Sequence, residues 1–177
     1  KFCNWMSERE GFEPYYIGDK RLREEDDTRV WHINRFASGY RLPTEAEWEF
    51  AARGGNPTPA LPKGEGDAAQ GIAAVHDSQA NTLYAGSRRL KEVGWYEMNS
   101  HGETKPVGRK FPNELGLYDL SGNVWEWCED QWHDNYNGAL DDGSAWVDRE
   151  QRSNRVNRGG SWGGAPRSCR SAYRDGW

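Results

Sequence analysis

From residue 81 onward, apolar residues come only in short runs, each cut off by Gly, Asn or Pro: 93–96, 105–107, 117–120, 124–127 and 156–162. Runs of that length are too short for a helix and read as brief strands joined by ordered loops. The 21 Gly and 8 Pro residues agree, because they favour tight turns over long regular elements. A loop-rich chain still needs a core. Hydrophobic residues are only 35% of the sequence, but ten Trp, eight Tyr and five Phe carry large apolar area, so the core is expected to be aromatic rather than aliphatic. At 177 residues the chain, 1–177, is expected to form a single domain.

The first third of the chain reads differently. Residues 2–11 suit a short amphipathic helix with Phe2, Cys3 and Met6 on one face and Gly11 as its stop. Residues 15–19 and 30–34 are strand-like and flank a charged stretch, 20–29, expected as a solvated hairpin or loop. The best-defined helix follows: Thr44 can cap it, Glu47 can reach back to the cap amide, and Gly54-Gly55 ends it. Ala46, Phe50 and Ala51 share one face, with Trp48 and Ala52 adjoining, which predicts packing through small and aromatic residues. Residues 56–77 carry no period and read as a long surface loop. Helices followed by many short strands give an α+β class with low regular secondary structure.

A formal net charge of −5 argues against nucleic-acid binding by phosphate neutralisation. No apolar run approaches the roughly 20 residues that span a bilayer, and no targeting segment is visible. Cys3, Cys128 and Cys169 form no CxxC pair; one disulfide with a free thiol and three reduced thiols fit equally. His32, His76, His101 and His133 show no metal-ligand spacing and read as surface or hydrogen-bonding residues.

Three blocks are more specific. Arg41-Leu42-Pro43-Thr44-Glu45-Ala46-Glu47-Trp48 lies within block 40–55. Gly116-Leu117-Tyr118-Asp119-Leu120-Ser121-Gly122-Asn123-Val124-Trp125-Glu126-Trp127 lies within 113–127, and Arg158-Gly159-Gly160-Ser161-Trp162 follows. Together they resemble the formylglycine-generating-enzyme family, also called the sulfatase-modifying-factor domain, and the resemblance spans most of the chain. It implies a C-type-lectin-like fold with one helix from the first block and a small twisted sheet near the end. It also implies that the family's first and last segments, including a final strand, are lacking here.

The family's enzymes oxidise a sulfatase cysteine to formylglycine with two cysteines that hold copper as paired thiolates. On this chain the second falls on Cys169 and the first on Gly164, which has no ligand atom. Cu(I) prefers a soft thiolate pair, so no copper and no oxidase activity are expected. No motif ties a base to Cys169, which reads as a buried small residue rather than a nucleophile. The resemblance further implies a calcium held by the side chains of Asp119 and Glu126 and the carbonyls of Gly122 and Val124; the alternative is that the two acids only cap turns. A second calcium would fall on Asn81, Thr82, Asn99 and His101, with too little charge to bind well. Trp125, Trp127 and Trp162 are expected in the core, while Trp132, Trp146 and Trp177 are more open to binding.

Residues 163–177 depart most from the enzymes and resemble the terminal variable region of proteins diversified by retroelements. Gly163, Gly164, Ala165, Ser168, Asp175 and Gly176 are all reachable by changing the adenines of an asparagine codon. The expected function is a non-catalytic, bacterial or phage ligand-binding protein. Its surface would comprise Trp162, Gly163, Gly164, Ala165, Ser168, Tyr173, Asp175, Gly176 and Trp177, and its partner a protein or other macromolecule. Such a scaffold needs its stability held elsewhere, and Arg158, Arg167, Arg170 and Arg174 are expected to support the loop through carboxylates and carbonyls. Display outside the cell is the weakly favoured location. The rival readings are a divergent formylglycine-generating oxidase and a regulatory or structural module of a larger protein.

Overall fold

The computed structural model describes residues 1–18, 31–55, 82–148 and 154–177. It contains two compact units, Lys1–Leu42 and Pro43–Trp177. Residues 20–29 and 56–77, expected as loops, together with His76 and Asn81, lie outside the described residues.

In the first unit, helix α1 (Phe2–Glu10) ends on Gly11, whose φ of 78° is the left-handed conformation a glycine adopts without a Cβ penalty. The expected apolar face is not what it buries. Phe2 is exposed and Ser7 is the buried residue, its Oγ donating to Cys3 O and accepting from Tyr40 N. A polar seam of this kind leaves no hydrophobic stripe to read. Strands β1 (Tyr16–Gly18) and β2 (Trp31–Ile33) pair antiparallel, as the two strand-like runs predicted.

The second unit opens with helix α2 (Glu45–Ala52), closed by the expected capping box: Glu47 N donates to Thr44 Oγ1 at 3.1 Å and Thr44 N to Glu47 Oε2 at 2.9 Å. Its buried face corrects the expectation. Glu45, Trp48 and Ala52 point inward, while Ala46 is exposed and Phe50 is 48% exposed. A reading that sends every acid to solvent picks the wrong face when one acid is the anchor.

Helix α3 (Leu90–Val93) is a single turn where the start of a strand was expected. A three-stranded antiparallel sheet then places β4 (Arg155–Arg158) between β3 (Glu126–Gln131) and β5 (Arg174–Gly176). Runs 105–107 and 117–120 are turns and irregular backbone, not strands. Local side-chain bonds take their backbone groups: Asn123 clips both backbone atoms of Lys105, and Asn113 Oδ1 accepts from Leu115 N and Leu117 N.

The core is less aromatic than composition implies. One cluster joins Trp48, Ala52, Ala85, Cys128 and Val156, and another joins Tyr84, Leu90, Val93 and Cys169. The largest fully buried side chain is Arg158. Trp125 and Trp162 are only half-buried and Trp127 is 48% exposed, because Cys128, its neighbour on β3, takes the inward position.

Candidate ligand surface and metal loop

Arg158, at the end of β4, donates from Nη1 to Glu45 Oε1 (3.2 Å) and from Nη2 to Glu49 Oε2 (2.6 Å) and Ser171 O (2.7 Å). Arg174, at the start of β5, grips the same Glu45 bidentately, with Nε and Nη2 each 2.9 Å from a carboxylate oxygen. Its guanidinium lies 4.5 Å from the Trp132 ring and 4.4 Å from that of Tyr136. Tyr136 donates its hydroxyl to Glu45, and burial together with that carboxylate pushes the phenol up to about 12. The expected arginine supports are therefore half right: Arg158 and Arg174 act so, while Arg167 and Arg170 are exposed and make no such bond among the described residues. Glu45 was missed; its place in the first turn of a capped helix was the only signal.

Between these arginines the chain turns through Gly159 and Gly160 and a hydrogen-bonded turn from Ser161 to Gly164, then a 3-10 turn, Pro166–Cys169. Cys169 is fully buried. A Cβ at Gly160 would lie only 2.8 Å from its sulfur, and burial pushes the thiol up to about 12 despite a hydrogen bond from the Ser161 backbone. A Cβ at Gly164 would lie 3.5 Å from that same Ser161 nitrogen, so positions 164 and 169 converge on one amide. One sulfur is present there. All three cysteines are free, and Cys128 is likewise buried, its thiol pushed up by burial.

The remaining surface residues are not equivalent. Gly163 is exposed with open space around it; Trp162, Ala165 and Ser168 are half-buried. Tyr173 packs on Trp125 with ring centroids 6.1 Å apart, and Trp177 is 69% exposed. Asp175 sits in β5 opposite Asn157, its Oδ1 accepting from Gly176 N. Gly176 is covered by Trp132, and a Cβ there would fall 2.6 Å from the ring. Of the other tryptophans held open to binding, Trp132 packs on the core and Trp146 stacks on His133 with centroids 3.6 Å apart.

The loop before β3 and the first residue of that strand carry the two carboxylates expected at a metal, Asp119 and Glu126. Asp119 (φ 60°), Gly122 (φ 86°) and Asn123 (φ 64°) all take left-handed backbone. Asp119 Oδ2 accepts from Gly108 N at 2.7 Å, but its buried Oδ1 has no hydrogen-bond partner. Glu126 Oε2 accepts from Trp48 Nε1 at 2.6 Å; burial raises its carboxyl above the usual range, and the Asp119 charge adds to that. This loop also meets the terminal surface, since Gly122 N donates to Gly159 O and Trp162 N to Asn123 O. At the second position, Asn99 Oδ1 accepts from Tyr96 N and its Nδ2 donates to Gly94 O, Thr82 is half-buried, and His101 is exposed. No group of three or more His, Cys, Asp and Glu poised for a metal occurs among the described residues.

The sulfatase-modifying factor enzyme 1-like domain family matches residues 1–177, and the chain belongs to that family. Its fold is accordingly α+β, C-type-lectin-like, of the formylglycine-generating-enzyme type. It is similar to "Treponema denticola variable protein 1", with a TM-score of 0.72 and 29% identity over 99% of this chain and 61% of that one. It is 32% identical to "Chaperone protein LppX" of Paenibacillus barcinonensis over 98% of this chain and 59% of that protein. It is 35% identical to a formylglycine-generating enzyme of Thermomonospora curvata over 71% of this chain and 39% of that protein. The chain thus spans about 59% or less of these curated relatives. No described helix is long and apolar enough to cross a membrane.

Proposed function

We propose that this chain is a non-catalytic binding domain that presents residues 162–177 to a protein or other macromolecular ligand, as a retroelement-diversified variable protein displayed outside a bacterial or phage-encoding cell. One observation carries the reading: position 164, where the resemblance calls for a copper-binding cysteine, is glycine, so the buried Cys169 thiol, whose proton is held tightly, gains no second sulfur from it. Similarity to a variable protein over 99% of the chain supports it. The contact area consists of the open Gly163 turn, the Trp125–Tyr173 pair and exposed Trp177, held from beneath by the Glu45 hub. Gly176, under Trp132, supports that area without contacting ligand.

The test is incubation with Cu(I) and a sulfatase-derived cysteine peptide. No aldehyde and no stoichiometric copper are expected, whereas Gly164→Cys is expected to gain copper by supplying the second sulfur. Aldehyde formed by the unaltered protein would return the oxidase reading to first place.

The 119–126 loop takes calcium in this proposal, held by the side chains of Asp119 and Glu126 and the carbonyls of Gly122 and Val124. The partnerless Asp119 Oδ1 and the Asp119 charge that disfavours an ionised Glu126 support it, because a hard divalent cation relieves both. Calcium at about a hundredfold excess over its Kd is expected to add about 2.7 kcal/mol of stability, read as a rise in Tm, and Asp119→Asn to abolish that rise. Equal melting with calcium and with chelator refutes the assignment.

A further inference from the structure

An open groove of about 460 Å³ runs between α3 and the loop 108–112, and neither the terminal surface nor the metal loop uses it. Its rim carries Lys91, Arg109 and Lys110. Lys110 Nζ donates to Lys91 O at 2.7 Å and sits 3.9 Å from the Trp95 ring centroid, which fixes the ammonium in place without a carboxylate. Lys91 and Arg109 are exposed and form no ion pair with a described residue. The acid on the rim, Glu92, is already engaged by Ser87 Oγ at 2.8 Å and Arg89 at 3.4 Å. Three cations thus gather around a single acid, Glu92, on a chain whose formal net charge is −5, and the rim keeps an excess of positive charge.

The groove is also apolar. Phe111 is 70% exposed, Tyr118 is 48% exposed, and Pro112 also lines the groove. The loop is held from two sides: Phe111 N donates to Glu92 O, and Gly108 N donates to Asp119. Exposed rings on a braced loop offer stacking area at low entropic cost. An enclosed site with converging donors would suit a small anion; an open groove lined by both cations and rings suits an extended chain.

We propose that this groove binds an acidic peptide segment of a partner protein, its carboxylates reading Lys91, Arg109 and Lys110 and an aromatic or bulky apolar side chain resting on Phe111 and Tyr118. Charge complementarity selects the acid, and the exposed rings select the neighbouring apolar residue.

Isothermal titration calorimetry with a short peptide of alternating Glu and Phe tests this, beside its Gln-for-Glu and Ala-for-Phe versions and a single-stranded oligonucleotide. Saturable binding of the Glu–Phe peptide alone is expected. It should weaken with added salt and fall about tenfold or more in the double variant Lys91→Glu, Arg109→Glu. Phe111→Ser is expected to weaken it as well. Both cations are exposed and form no salt bridge with a described residue, so the double variant is expected to keep the native near-UV spectrum. No heat with the Glu–Phe peptide, equal affinity for the Gln or Ala version, undiminished binding by the double variant, or tighter binding of the oligonucleotide overturns the proposal. The altered residues lie outside 162–177, so failure here leaves the terminal-surface reading in place.

Discussion

Glu45→Ala is expected to lower the free energy of unfolding by about 3–5 kcal/mol, the usual cost of removing one partner from a buried ion pair. The side chain is 8% exposed and accepts from Arg158, Arg174 and Tyr136 at once. Without it the fully buried Arg158 keeps only Glu49 and Ser171 O, and Arg174 keeps a backbone carbonyl between two rings. Urea unfolding measures the loss, and a cost below about 1 kcal/mol, the level of a surface pair, would refute the hub. The same network sets an acid limit. Burial alone raises the Glu49 carboxyl, but Arg158 and Arg53 outweigh it and hold it below the usual range. A depressed folded-state value means that this contribution is complete above the ordinary carboxylate range. It is lost as pH falls from the ordinary carboxylate range through that depressed value.

Gly122→Ala is expected to cost about 3 kcal/mol or more. The left-handed φ of 86° penalises any side chain by about 1–2 kcal/mol. A Cβ there also drives into Trp95 O, and overpacking of this kind typically adds about 1–3 kcal/mol. The clash opens the bridge between Trp95 and Gly122 and displaces the loop between Asp119 and Glu126, so calcium stabilisation should vanish along with the fold stability. Thermal melts with and without calcium measure both. A variant that melts normally would mean that the backbone can shift there freely. By contrast, Gly163→Ala, in open space, is expected to be nearly silent.

What was legible in the sequence followed from chemistry that acts locally. Thr44 and Glu47 lie three residues apart and make a box whatever surrounds them, and Gly11 stops α1 because only the backbone matters there. What was not legible depended on distant partners. Glu45 meets arginines more than a hundred positions away, so the acid that anchors α2 looked like a solvent-facing one. Strand β5 is three residues containing Arg, Asp and Gly, a composition that gives no strand signal; its pairing with β4 creates it. The tryptophans of the 113–127 block were expected inside, but pleat direction, which composition does not record, turned Trp127 outward. At the terminal surface, codon chemistry treated Gly163 and Gly176 alike, and only packing separates the open one from the one beneath Trp132.

Arg158 and Arg174 share Oε1 of Glu45 and face each other across β4 and β5, so the stretch between them has its ends held together by α2 and by the sheet. Closure entropy grows only slowly with contour, about 0.6 kcal/mol per doubling. Within that span Cys169 is buried and Gly160 is crowded against its sulfur, so an inserted residue is expected to be tolerated best at the open Gly163, while the sheet beneath keeps its register.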